Sequence, residues 1–242
     1  MPNRWVIPDI HGYIKTLQKL VESSVMPCSG DELYFLGDYI DRGPGSREVI
    51  DYVLSLQEGP ARLFLLRGNH DQTLLKAREA AHIKSSSWWP RKRPDPMKAW
   101  LAMGGAATLK SFGAEKVDQI PDLYIEWLTN LGWYRIVDDF VLVHAGLNFD
   151  RNDPYEDREA MLWLRDYDID RARIGGRRII HGHVPVNLEM IQLSVTNPSI
   201  PFIDLDNGPY ITGRPGFGNL CALELNTMKL VIQDNIDYTS TI

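Results

Sequence analysis

The sequence predicts an α/β fold with mixed sheets flanked by helices, and three observations support this class. Short apolar runs alternate with amphipathic helical patterns as far as Leu66, an order typical of a largely parallel sheet. In the last third of the chain, β-like runs are divided by glycine- and proline-rich turns, which favours antiparallel pairing there. Polar side chains follow one predicted strand after another, and open α/β sheets bind their ligands at these carboxyl ends.

The individual elements follow from the spacing of apolar residues. Apolar positions that recur every three or four residues predict helices, whereas short apolar runs bounded by turn residues predict strands. Strands are predicted at 4–7, 32–36, 62–66, 140–143, 178–180, 202–205, 220–225 and 229–233, and helices at 13–23, 46–56, 97–103, 120–129 and 157–164. We expect residues 1–242 to form a single domain, because this length suits one full-sized core.

Residues 76–103 interrupt the alternation and are predicted to be an insertion or lid. The stretch from 85 to 96 is rich in serine, proline and basic residues, without helical or strand periodicity. Its Trp88–Trp89 pair is followed by Arg91, Lys92 and Arg93, a combination that suits a lid over an aromatic or anionic substrate. An ordinary surface loop or a partner-binding surface fits the same residues.

Composition limits the classes of function. The chain has 26 basic and 32 acidic residues and a formal net charge of -6, which disfavours binding to nucleic acid or to an anionic membrane. Cys28 and Cys221 form neither a disulfide framework nor a zinc-type pair. No stretch resembles a signal peptide or approaches the ~18 apolar residues of a membrane span. These features predict a cytoplasmic protein and leave its oligomeric state open.

Aspartate, asparagine and histidine side chains follow five of the predicted strands. They are Asp9 and His11, Asp38 and Asp41, Asn69 and His70, His144, and His181 and His183. A single such residue is usually a helix cap or turn former, but five strand ends loaded alike predict one shared site. Carboxylate, imidazole and amide donors without thiolate favour manganese, iron or zinc. Six ligands suit two ions with a shared bridge, an arrangement suited to phosphate-ester hydrolysis.

Five short motifs resemble those of the calcineurin-like metallophosphoesterases in type, order and spacing. They are Pro8–Gly12, Gly37–Gly43, Arg67–Asp71, His144–Gly146 and Gly182–His183. Within that superfamily the chain looks like the phosphoprotein-phosphatase branch, especially its small bacterial and phage members, and the resemblance runs from Trp5 to about Leu225. It implies a four-layer αββα sandwich with mixed sheets inside and helices on the outer faces.

The resemblance also implies a set of metal ligands. Asp9 and His11 would bind the first ion, Asp38 would bridge, and Asn69, His144 and His183 would bind the second. The expected cofactors are two divalent ions, manganese before iron or zinc. His181 is expected to support the site without binding metal, because the family motif places its ligand after the glycine.

Four further residues are assigned to catalysis and phosphate binding by the same resemblance. His70 corresponds to the general acid that protonates the leaving oxygen, and Asp41 would orient it; the alternative for His70 is a further metal ligand. Arg42 would bind phosphate through its guanidinium fork. Arg165, in a segment resembling the family's Trp-x-Arg, is the predicted second clamp, with Arg158, Arg171 and Arg173 as alternatives.

The chain departs from the family pattern at three places. Pro8 stands where the family often has glycine or serine, and Asp71 stands where many relatives have glutamate. Neither change removes a metal donor. Val184 and Pro185 follow His183, where nuclease and cyclic-nucleotide phosphodiesterase branches usually carry a second histidine, so those branches are disfavoured.

The predicted activity is metal-dependent hydrolysis of a phosphomonoester by a hydroxide that bridges the two metals. We expect a serine/threonine protein phosphatase acting on phosphorylated protein or a small phosphoester. One alternative is a symmetrical dinucleoside-polyphosphate hydrolase acting on diadenosine tetraphosphate, which shares the metal motifs. An alternative of another class is a metal-loaded phosphate-binding or regulatory module without turnover.

Overall fold

The computed structural model describes residues 2–84 and 95–238, and within these ranges the chain forms nine strands and eight helices. The strands are β1 (Arg4–Ile7), β2 (Glu32–Phe35), β3 (Arg62–Leu65), β4 (Tyr134–Val137), β5 (Phe140–Val143), β6 (Arg178–His181), β7 (Phe202–Asp204), β8 (Asn219–Glu224) and β9 (Lys229–Asp234). The helices are α1 (Ile14–Leu20), α2 (Ser46–Gln57), α3 (Asn69–Lys84), α4 (Pro96–Trp100), α5 (Ala106–Ser111), α6 (Asp122–Thr129), α7 (Arg158–Trp163) and α8 (Leu188–Thr196). Turns of π-helix extend α1 and α4, at Val21–Val25 and Leu101–Gly105.

The strands form two mixed sheets, as predicted. The first has the order β3-β2-β1-β8-β9, in which β1, β2 and β3 are parallel and β8 is antiparallel to both β1 and β9. The second has the order β4-β5-β6-β7, in which β5, β6 and β7 are parallel and β4 is antiparallel to β5. The parallel strands of both sheets therefore supply the carboxyl ends at which the polar motifs begin.

Strand alternation produces the four layers. In β1, Trp5 and Ile7 pack into the cluster formed with α1, α2 and α6, whereas Val6 points into the cluster between the sheets. In β6, Ile180 joins the inter-sheet cluster and Ile179 faces the opposite side, where α7 covers the second sheet. Because neighbouring side chains of a strand point to opposite faces, each sheet buries two apolar faces. The αββα sandwich is thus confirmed.

Four elements were not expected from the sequence: α3, β4, α5 and α8. In α3 the alanine-rich core face is too weakly apolar to stand out as a helical stripe. The helix α8 lies between β6 and β7 and allows them to run parallel. The expectation that the last third is more antiparallel holds for β8 and β9, whereas β6 and β7 are parallel.

The predicted insertion at 76–103 also differs from what the structure places there. Its first part, through Lys84, continues α3, and its last part forms α4 and the following π-helical turn. Trp100 is fully buried in the core, because a large apolar side chain gains most when removed from water. The Trp88–Trp89 pair and the basic residues 91–93 lie outside the described residues. Across 2–84 and 95–238, no helix is long and apolar enough to span a bilayer.

Candidate metal centre

The aspartate, asparagine and histidine side chains that follow the five strands lie together at one edge of the sandwich. Donor atoms of His11, Asp38 and His70 all lie within 4.8 Å of one another, and so do those of Asp9, Asp38 and His144. Asn69 joins the same cluster, because its Oδ1 lies 2.9 Å from His144 Nε2. The side chain of Asp38 belongs to both donor groups, which is the position expected of a bridging ligand.

The remaining predicted ligand, His183, is also part of this cluster. Its Nδ1 lies 3.1 Å from Asn69 Oδ1, and its backbone N–H donates to both carboxylate oxygens of Asp9 at 3.2 Å. Its Nε2 is buried and has no hydrogen-bond partner among the described residues. An orphaned buried nitrogen is costly, and it is the atom that a metal ion would satisfy.

Distances around Asp38 fit the same interpretation. Its Oδ2 lies 3.6 Å from His11 Nε2 and 3.7 Å from His144 Nε2, too far for good hydrogen bonds. At this spacing, a cation fits between the Asp38 carboxylate and each of the two imidazole nitrogens. The oxygen and nitrogen donors of the cluster suit first-row divalent ions.

Burial prepares these imidazoles for metal binding. It lowers the pKa of His11 and of His144, and it lowers the pKa of His183 to about 3. The imidazoles therefore remain neutral, which is the form that binds a metal. Burial opposes ionisation of Asp38, but the charges that His144, His70 and His11 carry when protonated, together with a hydrogen bond from the His70 N–H, outweigh it and hold the pKa of that carboxyl well below its usual range. An ionised carboxylate that faces several imidazole nitrogens is a ready cation site.

Strained backbone aims several of these side chains. His11, Asp38, Asp41, Arg42 and His183 all have positive φ, between 51° and 75°. Such conformations cost of order 1–3 kcal/mol each and cluster at functional sites. They persist only where the surrounding structure holds them in place.

Asp71 is one residue that holds the strained turns. Its buried carboxylate accepts hydrogen bonds from the N–H groups of Asp38 at 2.9 Å, Gly68 at 2.8 Å and Tyr39 at 3.3 Å. The shorter aspartate therefore ties the β2 loop to the β3 loop at the position where many relatives have glutamate.

His70 is placed to act on a proton. Its Nδ1 lies 2.8 Å from Asp41 Oδ2, and Asp41 Oδ1 in turn accepts from Trp100 Nε1 at 3.1 Å and Thr108 Oγ1 at 2.6 Å. Burial alone would lower the pKa of His70, but Asp38 and Asp41 outweigh it and raise that pKa above its ordinary value. A protonated imidazole fixed by a buried carboxylate is suited to general acid catalysis.

A cavity of about 260 Å³ opens onto the donor cluster. Arg42 and Arg165 both line it, beside Asp38, Asn69 and His183 of the donor cluster. Within the described ranges neither arginine forms an ion pair, so both guanidinium groups can bind an anion.

Arg42 is held on two sides. Its guanidinium carbon lies 3.8 Å from the ring centre of Tyr210, and its Nη2 lies 3.2 Å from His70 Nε2. A guanidinium stacked on an aromatic ring keeps its donors free for a ligand. Because a cation next to Nε2 competes with a metal ion there, this contact favours the acid role of His70 over the ligand role.

The family model for calcineurin-like phosphoesterases matches residues 3–213, which is most of the chain and includes every motif of the site. The protein belongs to the calcineurin-like phosphoesterase family. The resemblance inferred from the five motifs is thereby confirmed.

Named relatives point to two kinds of phosphoesterase. A symmetrical bis(5'-nucleosyl)-tetraphosphatase of Aromatoleum aromaticum is 34% identical over 143 residues, 59% of this chain and 44% of the relative. The serine/threonine-protein phosphatase rdgC of Drosophila melanogaster is 32% identical over 106 residues, 41% of this chain and 16% of the relative. The chain thus spans less than half the length of these relatives in the matched regions.

Among solved structures, the fold is similar to that of a candidate diadenosine tetraphosphatase. The TM-score is 0.64, with 18% identity, and the match covers 96% of this chain and 95% of the other. At this identity the likeness concerns the fold alone.

The alternatives for the second phosphate clamp of this phosphoesterase are engaged elsewhere. Arg158 stacks on Trp133, with its guanidinium carbon 4.9 Å from the ring centre. Arg171 and Arg173 donate to backbone carbonyls, those of Gly176 and Arg177 and those of Phe149, Arg151 and Asn152 respectively. Of the four candidates, Arg165 is the one that lines the cavity.

Sequence reasoning missed several residues of this calcineurin-like site. Trp100 and Thr108 reach Asp41 from helices that follow the undescribed segment, and Tyr210 comes from the loop after β7. None of them lies in a motif, so spacing gave no signal for them. His181 places its Nδ1 3.0 Å from the Gly182 carbonyl and is outside both donor groups.

Proposed function

We propose that the protein is a metal-dependent hydrolase of symmetrical dinucleoside tetraphosphates, adding water across the central phosphoanhydride to give two nucleoside diphosphates. The observation that carries hydrolysis is the buried donor cluster with Arg42 and Arg165 in the same cavity. The substrate is supported by the relatives, among which a symmetrical tetraphosphatase shares 34% identity over 59% of the chain. This substrate replaces the phosphoprotein expected from the motifs alone.

The ligands that would hold two divalent ions are the six predicted ones: Asp9, His11, Asp38, Asn69, His144 and His183. When bound, the ions would supply a water activated for attack on phosphorus and neutralise charge on the phosphate. We propose that both ions are manganese, since the donor set lacks thiolate and combines carboxylate with imidazole.

Side chains of the protein would bind the phosphate and supply the proton. Arg42 and Arg165 would clamp the phosphate oxygens on which charge develops, because their guanidinium forks match pairs of such oxygens. His70 would deliver a proton to the departing oxygen, while Asp41 keeps its ring oriented and its proton in place. The strong preorganisation of Asp41 by Trp100 and Thr108 supports this division of roles.

A polyphosphate suits the charge of the cavity. Two arginines without ion pairs in the described part of the chain face one small polar space, and a chain of four phosphates offers both of them an anionic partner. A phosphorylated side chain carries a single phosphate and would engage fewer of these donors.

Serine/threonine protein phosphatase is the second candidate. It is favoured by the 32% identity to the Drosophila phosphatase over 106 residues. The two proposed activities would use the same metal ligands and the same arginines. They differ in the part of the substrate that lies beyond the scissile bond.

The test is a competition between diadenosine tetraphosphate and a phosphoserine peptide. Chelator-stripped protein is reloaded with manganese, and both products are followed in one reaction, beside an Asp38→Asn variant prepared identically to exclude a contaminating phosphatase. We expect a preference of more than about tenfold for the dinucleotide, equivalent to ~1.4 kcal/mol in transition-state binding.

Each outcome decides between the candidates. Preference for the peptide would establish the protein phosphatase in place of the proposed activity. Binding of both compounds without any product would leave the regulatory module, and activity that survives in the Asp38→Asn variant would overturn the metal centre itself.

A further inference from the structure

One buried carboxylate next to the metal donors has no role in the proposed chemistry. Asp206 follows β7 and is 1% exposed. Its Oδ1 accepts a 2.7 Å hydrogen bond from the Gly208 N–H, and its backbone carbonyl accepts one from the Val186 N–H. These contacts explain the turn that Asp206 begins, but they use only one of its two carboxylate oxygens.

The second oxygen is orphaned. Asp206 Oδ2 is buried and has no hydrogen-bond partner among residues 2–84 and 95–238. An unpaired buried carboxylate oxygen is expensive, because the lost hydration is not replaced. A residue needed only for the turn could be asparagine or serine, which form the same turn without a buried charge.

The surroundings of Asp206 identify what the free oxygen faces. Asp206 is the charged group that acts most strongly on Asp9, and Arg42, Asp38 and His70 act in turn on Asp206. The strand register places Asp204 opposite His181, so Asp206 lies in the loop beside the one that carries His183. Burial and the repulsion among these carboxylates raise the pKa of both Asp9 and Asp206, and each ionised carboxylate adds a buried negative charge to that of Asp38. Such charges accumulate in a core only where cations offset them.

Distance narrows the partner of Asp206 Oδ2, because Asp206 is absent from both donor groups whose atoms lie within 4.8 Å of one another. A water molecule held at the centre bridges a longer gap than a direct metal–carboxylate bond does.

We propose that Asp206 supports the metal centre from outside the six predicted ligands, with its free Oδ2 accepting a hydrogen bond from a water held there. This inference rests on the proposed metal centre but not on the choice of substrate. Outer carboxylates of this kind typically change metal affinity by 10–100-fold. The unpaired oxygen destabilises the metal-free protein, and this loss of stability accompanies the role that Asp206 has when metal is bound.

The test is Asp206→Asn, which preserves an acceptor for the Gly208 N–H and removes the buried charge. The matched control is Asp204→Asn, a neighbouring buried carboxylate with the same change in net charge and a weaker effect on Asp9. Manganese affinity and stoichiometry are measured by calorimetry and elemental analysis, and the melting temperature is measured with and without chelator.

Manganese affinity and metal-free stability should respond differently to Asp206→Asn. We expect manganese affinity to fall by about tenfold or more, while the chelator-stripped variant melts no lower than the wild type because it lacks the orphaned charge. In Asp204→Asn the manganese affinity should stay within about threefold of the wild type, well below the 10–100-fold expected of an outer carboxylate.

The contrary results are equally clear. Unchanged manganese affinity in Asp206→Asn would overturn the inference, and so would a lower melting temperature of the stripped variant, which would make the carboxylate structural. If the asparagine variant does not fold, Asp206→Ser is measured in the same way, and failure of both to fold would also count against the proposal. Loss of metal in the wild type itself would instead refute the proposed function.

Discussion

At the scale of single residues, the site contains buried polar groups that would destabilise the fold if unpaired and that stabilise one another through hydrogen bonds. Asp41 is fully buried, yet His70, Trp100 and Thr108 satisfy both of its oxygens. Burial raises the pKa of Asp41, and hydrogen bonds from these neighbours oppose that rise. A carboxylate held in this way fixes the orientation of His70 without being free to exchange with water.

His70 gives the first prediction, which concerns the leaving group. In His70→Asn, hydrolysis of an alkyl phosphate such as phosphoserine should fall by about 10² to 10⁴-fold, because an alkoxide needs a proton to depart. Hydrolysis of diadenosine tetraphosphate should fall by less than about tenfold, since a phosphate leaving group has a pKa near 6. Single-turnover rates on both substrates, with metal content checked, test this difference.

Equal losses on the two substrates would contradict the acid role, because a residue that only shapes the site affects both alike. Loss of bound metal in the variant would instead assign His70 to the ligands, the alternative raised by its place in a donor group with His11 and Asp38.

At the scale of elements, the turn between β8 and β9 illustrates how a local device fixes a strand pair. The carboxylate of Glu224 accepts from the N–H and the hydroxyl of Thr227 at 2.7 Å, from Asn226 Nδ2 at 2.7 Å and from the Arg4 N–H at 3.1 Å. It therefore links the turn to β1. Burial raises the pKa of Glu224, but these hydrogen bonds outweigh it and bring the pKa below its ordinary value of 4.5.

The second prediction follows from this depressed pKa. Glu224 contributes stability fully above the pKa of the unfolded chain and loses that contribution as pH falls through its lower folded pKa. Glu224→Gln should therefore lower the free energy of unfolding by about 1–3 kcal/mol at pH 7, with the difference shrinking below pH 4.5. Urea unfolding at several pH values tests it, with the exposed Glu115→Gln as the control; a difference independent of pH would contradict it.

Helices and strands were predictable from the sequence where the apolar periodicity is strong. They were not predictable where strand pairing or other tertiary contacts determine the structure. The strands β1, β5 and the pair β8–β9 were found near their predicted bounds because uninterrupted apolar runs mark them. The edge strand β4 was missed because Tyr134, Arg135 and Ile136 are all exposed, so that no buried face marks it. The candidate metal ligands could be proposed from the sequence because each follows a strand, whereas Tyr210 and Asp206 occupy a loop whose path only tertiary structure defines.

At the scale of the whole molecule, the carboxyl-terminal segment closes over the first helix. Asp237 accepts hydrogen bonds from the N–H groups of Lys15 and Thr16 at 3.0 and 2.9 Å, and from the Thr16 hydroxyl at 2.6 Å. Tyr13 and Tyr238 are hydrogen-bonded through their hydroxyl groups. The start of α1, directly after the motif that carries Asp9 and His11, is thus capped by a residue from the other end of the chain.

The third prediction tests this capping. Asp237→Ala should cost about 0.5–2 kcal/mol, as loss of a helix cap does, and each kcal/mol corresponds to about 2–4 °C in melting temperature for a chain of this size. Calorimetry of metal-free protein measures the change, with Asp234→Ala on the exposed end of β9 as the control. An unchanged melting temperature would mean that the segment rests on α1 without stabilising it.

The position of β1 in the first sheet has a consequence for biosynthesis. Trp5 pairs with Leu33 on one side and with Glu224 on the other, so one edge of the first strand stays open until β8 has left the ribosome. At 5–20 residues per second, this lasts on the order of ten seconds, and an open strand edge is a template for aggregation. A transcript truncated before Asn219 would encode every predicted catalytic and metal-binding residue, yet its product would lack the strand that covers this edge and would become a substrate for chaperones and proteases.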